Sequence, residues 1–353
     1  MKKAYLVLSD GTVMEGKRFG ADTACIGELV FTTGMCGYIE TLSDPSYGGQ
    51  IVMQTFPLIG NYGIIPDDFE GKPCLKGYAV REYCDTPSNF RCEETLDSYL
   101  KKMNIPGICG IDTREITRKI REYGVINAGI FDEIPEDLSV ISSYRVSENI
   151  LSEVSCKQIS EKRPDEGKYH VVLMDFGAKK NISEELRKRG CRVTAVPFDT
   201  SAEDILAMDP DGIMLSNGPG DPADNTGVIE QIARLLGKKP VFGICLGHQM
   251  TALAAGGKTY KLKYGHRGTN QPVKDVQGQR TYITTQNHGY AVDNDCLPES
   301  AVIRYINAND GTCEGLDYPD LNCFTVQFHP EACAGPKDTS FLFDRFIAMM
   351  EED

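Results

Sequence analysis

From residue 170 onward the sequence alternates apolar strands with helical stretches, and no other feature narrows the fold as far. Strands over 170–175, 192–197, 212–216 and 240–244 are each followed by a helical pattern, over 179–189, 202–208, 225–236 and 246–255. Consecutive strand–helix–strand units build a mostly parallel sheet with helices on both faces, an α/β fold. Such sheets carry their sites just beyond the carboxyl ends of the strands, so functional residues are sought there.

The clearest of these junctions is Pro240-Val-Phe-Gly-Ile-Cys245-Leu-Gly-His-Gln249. It sets one cysteine between strand and helix with a glycine two residues away on either side, where a side chain would strike the neighbouring strand and helix. The open N–H groups and positive dipole end of the helix favour negative charge on the sulfur, and nearby N–H groups can hold an oxyanion. Free cysteine is among the most buried residue types, so the competing reading is a core thiol. A base, an orienting acid and oxyanion donors elsewhere in the chain decide between the two.

Two other strand ends supply them. Strand 212–216 runs into Asn217-Gly-Pro-Gly220-Asp-Pro, whose glycines leave backbone N–H groups uncovered. The plainer alternative is a turn before a helix capped at Asp224 or Asn225. A phosphate loop fits poorly, because the Walker lysine and the G-x-G-x-x-G spacing are missing and Pro219 removes a donor. Gly220 fits better as a backbone oxyanion donor. Strand 322–328 ends at His329-Pro-Glu331, and residues i and i+2 of extended chain project to one side. The carboxylate can then orient the imidazole, select its tautomer and stabilise the imidazolium. The other histidines fit less well: His248 lies in the elbow helix, His288 in a turn over 286–290, His266 in a basic loop and His170 at a strand start, none with an acid placed to orient it. Cys245, His329 and Glu331 read as a Cys-His-acid hydrolase acting on an acyl or amide carbon, with the substrate left open.

Composition excludes several other classes. The formal charge of −14 argues against nucleic acid or an anionic membrane as the main partner. No apolar run approaches the roughly 18 residues of a membrane span, and Lys2 and Lys3 lead into an alternating strand rather than a signal peptide, so a cytoplasmic location is expected. Thirteen cysteines without a C-x-x-C pair predict neither a zinc site nor a disulfide framework, and no metal site is expected. At 353 residues the chain suits two domains. Residues 1–150 read as a smaller β-rich α+β domain, with strands at 3–9, 27–33, 50–54 and 77–82 and helices near 95–103 and 114–123. The polar run 151–168 is the expected linker, and 169–353 is the α/β domain. The stretches 37–47, 57–63 and 110–114 read as turns, with Asp112 capping the helix near Arg114.

The set Leu215-Ser-Asn-Gly-Pro-Gly-Asp-Pro222, Gly243-Ile-Cys-Leu-Gly-His-Gln249, Asn287-His-Gly-Tyr290 and His329-Pro-Glu331 strongly resembles the class I glutamine amidotransferases. Three further stretches, Gly37-Tyr to Asp44-Pro-Ser-Tyr47, Gly110-Ile-Asp-Thr-Arg114 and Asp175-Phe-Gly-Ala-Lys-Lys-Asn181, look like the small subunits of carbamoyl-phosphate synthases. The resemblance covers nearly the whole chain and implies a flavodoxin-like amidotransferase domain behind the first domain. It implies that Cys245 attacks the side-chain amide of L-glutamine, that His329 is base and acid, and that Glu331 orients it. The glutamine-contacting positions it implies are Ser46, Gly218, Gly220, Leu246, Gln249, Asn287, Gly289 and Tyr290, with the Gly220 and Leu246 amides as the oxyanion hole. Ammonia would pass to a separate large subunit that makes carbamoyl phosphate from bicarbonate and ATP, and the first domain would serve that partner. No cofactor is expected on this chain, ATP and magnesium being expected on the large subunit. The glutaminase of another synthase and a non-catalytic scaffold of the same fold are the alternatives. Tyr290 stands where the family often has Phe, and Cys333 extends the 329, 331 alternation as an expected inert thiol near the site.

Overall fold

A computed structural model describes residues 2–162, 167–332 and 334–352, and the chain divides into two compact units, Met1–Ser147 and Glu148–Asp353. In the first unit seven strands close into a barrel, in the order Lys3–Leu8, Val13–Gly20, Pro106–Cys109, Gly77–Ala79, Gln50–Gln54, Cys25–Thr32 and Ile126–Phe131. Closure removes the unpaired edges that strands so short would otherwise present. Val30, Val52 and Tyr78 share one apolar cluster with Ile39 and Leu42 of helix Tyr38–Ser43 and with Leu96 and Leu100 of helix Leu96–Lys102.

Local chemistry explains the boundaries here. The Asp112 carboxylate accepts from the amides of Arg114 and Glu115, each at 3.0 Å, and so caps helix Thr113–Tyr123 as expected. The stretch 37–47 is a correction. It holds helix Tyr38–Ser43 and a 3-10 turn Pro45–Tyr47, because Tyr38, Ile39 and Leu42 share one buried face at helical spacing.

The second unit carries a ten-stranded sheet. Its parallel part runs Cys191–Pro197, Tyr169–Asp175, Gly212–Leu215, Val241–Ile244, Cys323–Val326, which in chain order is 2-1-3-4-5, the flavodoxin-like arrangement. Strand residues alternate between two cores. Val172, Met174, Ile213 and Leu215 pack with helices Ala202–Ala207, Thr226–Leu235 and Leu246–Ala254. Val171, Leu173, Met214 and Phe242 pack with helices Lys180–Lys188 and Phe341–Glu352 on the other face. Burial on both faces is why these strands read as continuous apolar runs.

The polar run expected as a linker differs from that expectation. Helix Ile150–Val154 and strand Ser160–Lys162 belong to the second unit, the strand pairing antiparallel with Cys191–Pro197 at the sheet edge. An edge strand exposes one side to water, so its polar composition does not prevent pairing. Of the expected linker, 163–166 lie outside the described residues. At the opposite edge four antiparallel strands continue the sheet: Cys313–Tyr318, Val302–Asn307, Thr259–Asp275 and Thr281–Val292. The last two form a long hairpin broken by register shifts between Lys261 and His266 and between Gly268 and Gln271. Those bulges, with Gly265, Gly268 and Pro272, interrupt the two-residue period and hide the strand from a pattern reading.

Phe242 joins the layers. It is fully buried, stacks on Phe324 at 4.3 Å between centroids and meets the edge of Phe343 at 5.5 Å. Phe242→Ala should cost about 3–5 kcal/mol of stability in the second unit, read from denaturant unfolding; a loss under about 1 kcal/mol would mean that the site collapses and the ring is not the anchor.

Candidate active site

Cys245 occupies φ 54°, ψ −102° between strand Val241–Ile244 and helix Leu246–Ala254. Few residues other than glycine accept a positive φ, and the turn is held by bonds on both sides. The Cys245 amide donates to Val326 O at 2.8 Å, and the Gly247 amide donates to Ser216 O at 3.0 Å. The flanking glycines are required by close approach. A methyl group on Gly243 would lie 2.9 Å from Thr325 Cγ2, and one on Gly247 would lie 2.5 Å from Leu215 O. Sequence spacing therefore located a strained turn at a sheet edge, with Leu246 at the open end of its helix.

Neighbouring strand ends are laced to this turn. The buried Asn217 accepts from the Lys179 amide at 3.0 Å and donates to Gly177 O at 3.1 Å, and the Ser216 hydroxyl accepts from the Phe176 amide at 2.9 Å. Gly218 packs close enough to the elbow helix that a methyl there would fall 2.9 Å from Leu246 Cδ2. Gly220 follows in the left-handed region at φ 94°. Of the two expected helix caps, Asn225 holds the position without a side-chain capping bond. Asp221 caps the 3-10 turn Pro222–Asp224 by accepting from the Ala223 amide, while Asn225, at the N-cap of helix Thr226–Leu235, donates its side chain to Asp221 O. The proline-led turn takes up Asp224, the other expected cap, and the helix begins one residue after its expected start.

His329 and Glu331 are both buried just beyond strand Cys323–Val326, with Nδ1 and Oε1 2.6 Å apart. The Cys245 thiol donates to Asn287 O at 3.7 Å. His329 Nε2 makes no hydrogen bond among the described residues, and the Cys245 side chain raises the basicity of the ring. Burial and the Lys179 ammonium oppose an imidazolium at His329, but the Glu331 carboxylate and the Cys245 contact outweigh them and lift it to about 9. Burial likewise opposes ionisation of Glu331, yet the His329 ring and Lys179 hold its carboxyl below the usual range. Lys179 Nζ lies 3.9 Å from Glu331 Oε1 and is itself buried. Its contribution was not read from the sequence, although its place just after a strand was a usable signal.

The remaining expected positions fall on three segments. Leu246 and Gln249 lie on the elbow helix; Asn287, Gly289 and Tyr290 lie on strand Thr281–Val292. Gln249 Nε2 ties the two by donating to Tyr290 O at 2.7 Å and to Gln327 Oε1 at 2.9 Å. The Tyr290 ring lies 5.7 Å from Lys261 Nζ. Ser46 belongs to the first unit, in the turn Pro45–Tyr47, where its amide donates to Asp44 Oδ1 at 2.9 Å. Cys333 lies outside the described residues.

The histidine assignments need correction. His266 and His288 sit in the two strands of the hairpin, in neither a loop nor a turn, and both are buried. His266 also has the acids that were thought missing, Asp310 Oδ2 at 2.8 Å from Nε2 and Glu314 Oε1 at 3.3 Å from Nδ1. These partners lie more than 40 residues away in sequence, beyond the reach of a local pattern. His266, His288 and Glu314 have the donor types of a metal site, but each donor atom already faces a polar protein group. His248 and His170 bond to the hydroxyls of Thr325 and Thr194.

Comparison with known proteins adds the family. Residues 172–349 match the model of glutamine amidotransferase class-I, and residues 6–130 match that of the carbamoyl-phosphate synthase small chain, CPSase domain. The carbamoyl phosphate synthase small chain of Staphylococcus epidermidis is 52% identical over 100% of this chain and 97% of its own length. That of Fusobacterium nucleatum is 52% identical over 100% and 99%, and that of Bacillus anthracis 52% over 99% and 96%. The chain belongs to the carbamoyl phosphate synthase small chain family. It is thus a glutamine amidotransferase with a class-I domain behind the small-chain domain, as the motifs implied. No helix among the described residues is long and apolar enough to cross a membrane.

The ion pair in this family member generates a prediction. Glu331→Gln should bring the His329 pKa down from its raised value, measured by NMR titration of the ring. With the folded value above the ordinary ~6.5, His329's contribution is fully present below about pH 6.5, as long as Glu331 stays ionised, and is lost as pH rises through the folded value. An unchanged His329 pKa in the variant would show that the carboxylate does not set it.

Proposed function

We propose that this chain hydrolyses the side-chain amide of L-glutamine through Cys245, His329 and Glu331 and delivers the ammonia to a large synthetase subunit. The observation that carries the reading is a thiol on a left-handed strand-to-helix turn beside a fully buried imidazole–carboxylate pair 2.6 Å apart. His329 takes the thiol proton and the sulfur attacks the amide carbon. The backbone N–H groups of Gly220 and Leu246 hold the resulting oxyanion in a site shielded from water. His329 returns the proton to the amide nitrogen, the C–N bond breaks, and ammonia leaves a glutamyl thioester on Cys245. Water then attacks the thioester with His329 as base, releasing glutamate and restoring the thiol. Glu331 keeps Nδ1 protonated so that Nε2 is the nitrogen that exchanges the proton.

Ser46, Gly218, Gln249, Asn287, Gly289 and Tyr290 would recognise the glutamine itself. Ammonia then serves a partner that makes carbamoyl phosphate from bicarbonate and ATP, with nucleotide and magnesium bound there and the first unit providing the docking domain, in the cytoplasm. The small-chain match over 6–130 supports this partner over another synthase.

Cys245→Ser, assayed with the large subunit, should lower glutamine-dependent carbamoyl phosphate synthesis on the order of a thousandfold or more while synthesis from free ammonia continues. Survival of the glutamine-dependent rate would remove Cys245 from the role.

A further inference from the structure

Behind the strand that carries Asn287 and Tyr290 lies a buried polar row that the proposed chemistry does not use. It begins at Asp310, whose Oδ2 is 2.8 Å from His266 Nε2. His266 Nδ1 is 3.3 Å from Oε1 of Glu314, a fully buried side chain. That oxygen also accepts from Asn307 Nδ2 at 3.1 Å, and the Asn307 amide is oriented because its own Oδ1 accepts from the Asn309 N–H. The nitrogen end of the Gln286 carboxamide donates to Glu314 Oε2 at 3.0 Å. The other end lies 3.2 Å from His288 Nε2, and His288 Nδ1 lies 2.7 Å from the Tyr290 carbonyl oxygen.

Counting protons along this row leaves two assignments, and the surroundings of His288 choose between them. A carbonyl oxygen only accepts, so His288 Nδ1 must carry hydrogen. A neutral imidazole has one N–H, which leaves Nε2 as an acceptor and requires Gln286 to present its NH₂ to it. The Gln286 oxygen then faces Glu314 Oε2, and two bare oxygens in contact repel. The two ends of a carboxamide are nearly equal in shape, so exchanging them moves no neighbouring group, but it replaces the Nε2 donations to Glu314 Oε2 and Thr284 Oγ1. Thr284 Oγ1, which accepts from Gln286 Nε2 at 3.2 Å and donates to Gln271 O at 2.9 Å, would then have one proton for two oxygens and serve only one of them. A doubly protonated His288 would satisfy the same count with Glu314 ionised. It would place a cation in a fully buried position 4.9 Å from the His266 ring, next to Arg267 and on the side of His329, with its Glu331 and Lys179. Burial and the neighbouring cations His266, Arg267 and His329 hold His288 well below the ordinary imidazole range, and burial pushes Glu314 up despite His266.

We propose that Glu314 is a neutral carboxylic acid that donates from Oε2 to Gln286, and that this proton, relayed through Gln286, fixes His288 as the Nδ1–H tautomer holding the Tyr290 carbonyl. His266 remains the cation of the row, with ionised Asp310 as its counterion and the Glu314 carbonyl oxygen as its second acceptor. The same Tyr290 carbonyl receives Gln249 Nε2, so Glu314 is a positioning residue for the segment bearing Asn287, Gly289 and Tyr290.

The test is ¹⁵N-histidine NMR of the full chain, with the His288 signals assigned by their loss in His288→Gln, together with glutamine kinetics. Wild type and Glu314→Gln, whose NH₂ replaces the acid proton, should both show neutral Nδ1–H His288 near pH 7. Glu314→Gln should keep the glutamine KM, whereas Glu314→Leu, without a proton to give, should raise it about tenfold with kcat affected less. An imidazolium or an Nε2–H tautomer at His288 in the wild type overturns the assignment, as does a KM in Glu314→Gln as high as in Glu314→Leu. The kinetic arm rests on the glutaminase reading; if the wild type hydrolyses no glutamine, that reading fails, and the tautomer alone decides the state of Glu314.

Discussion

Cys245 holds a backbone conformation that costs a non-glycine residue about 1–3 kcal/mol, and it persists only where the surroundings over-determine it. Here they do so through the parallel sheet. The Cys245 amide is tied to strand Cys323–Val326 and the Gly247 amide to Ser216, beyond strand Gly212–Leu215, so the turn is gripped from both neighbouring strands. Gly243 and Gly247 leave the space in which the strand, the helix and these neighbours meet. The same grip brings the thiol near the end of strand Cys323–Val326, from which His329 and Glu331 follow. Cys245 and His329 are therefore placed by adjacent strands of one rigid layer rather than by mobile loops.

The charges at the site hold one another in place. An isolated buried carboxylate or imidazolium would neutralise itself by shifting its pKa. Glu331 avoids this through His329 at 2.6 Å and Lys179 at 3.9 Å. Lys179 has opposing effects: it supports the charge on Glu331 and works against that on His329. The acid–base role proposed for His329 is served by such opposition, because a carboxylate with no competing cation would hold the imidazolium proton more tightly.

Much of this was legible in the sequence because the decisive relations are local. The strand-to-helix junction of Cys245 and the i, i+2 relation of His329 and Glu331 need only a few neighbouring residues, and the parallel strands are buried on both faces and read as apolar runs. The antiparallel edge was not legible. Strand Thr259–Asp275 contains two register shifts and a mixed burial pattern, so its period is broken where it matters. His266 looked like a loop residue for that reason. Its partners Asp310 and Glu314 arrive from strand pairing that only tertiary structure reveals. Helix Tyr38–Ser43 was hidden differently, six residues of helix being too short for periodicity to outweigh the flanking Gly37, Asp44 and Pro45.

His288 meets the His266 ring at 4.9 Å and feels the charge of His329, and each of these two histidines has a carboxylate, Asp310 for His266 and Glu331 for His329. Both of those rings are lifted towards the charged form, and both lower His288. Three imidazolium ions would repel strongly in a buried setting, where screening by water is lost. A neutral His288 ring adds no third cation while still donating a hydrogen to Tyr290 O. The His329–Glu331 pair and the hairpin network can then each hold a cation, because the His288 ring stays neutral.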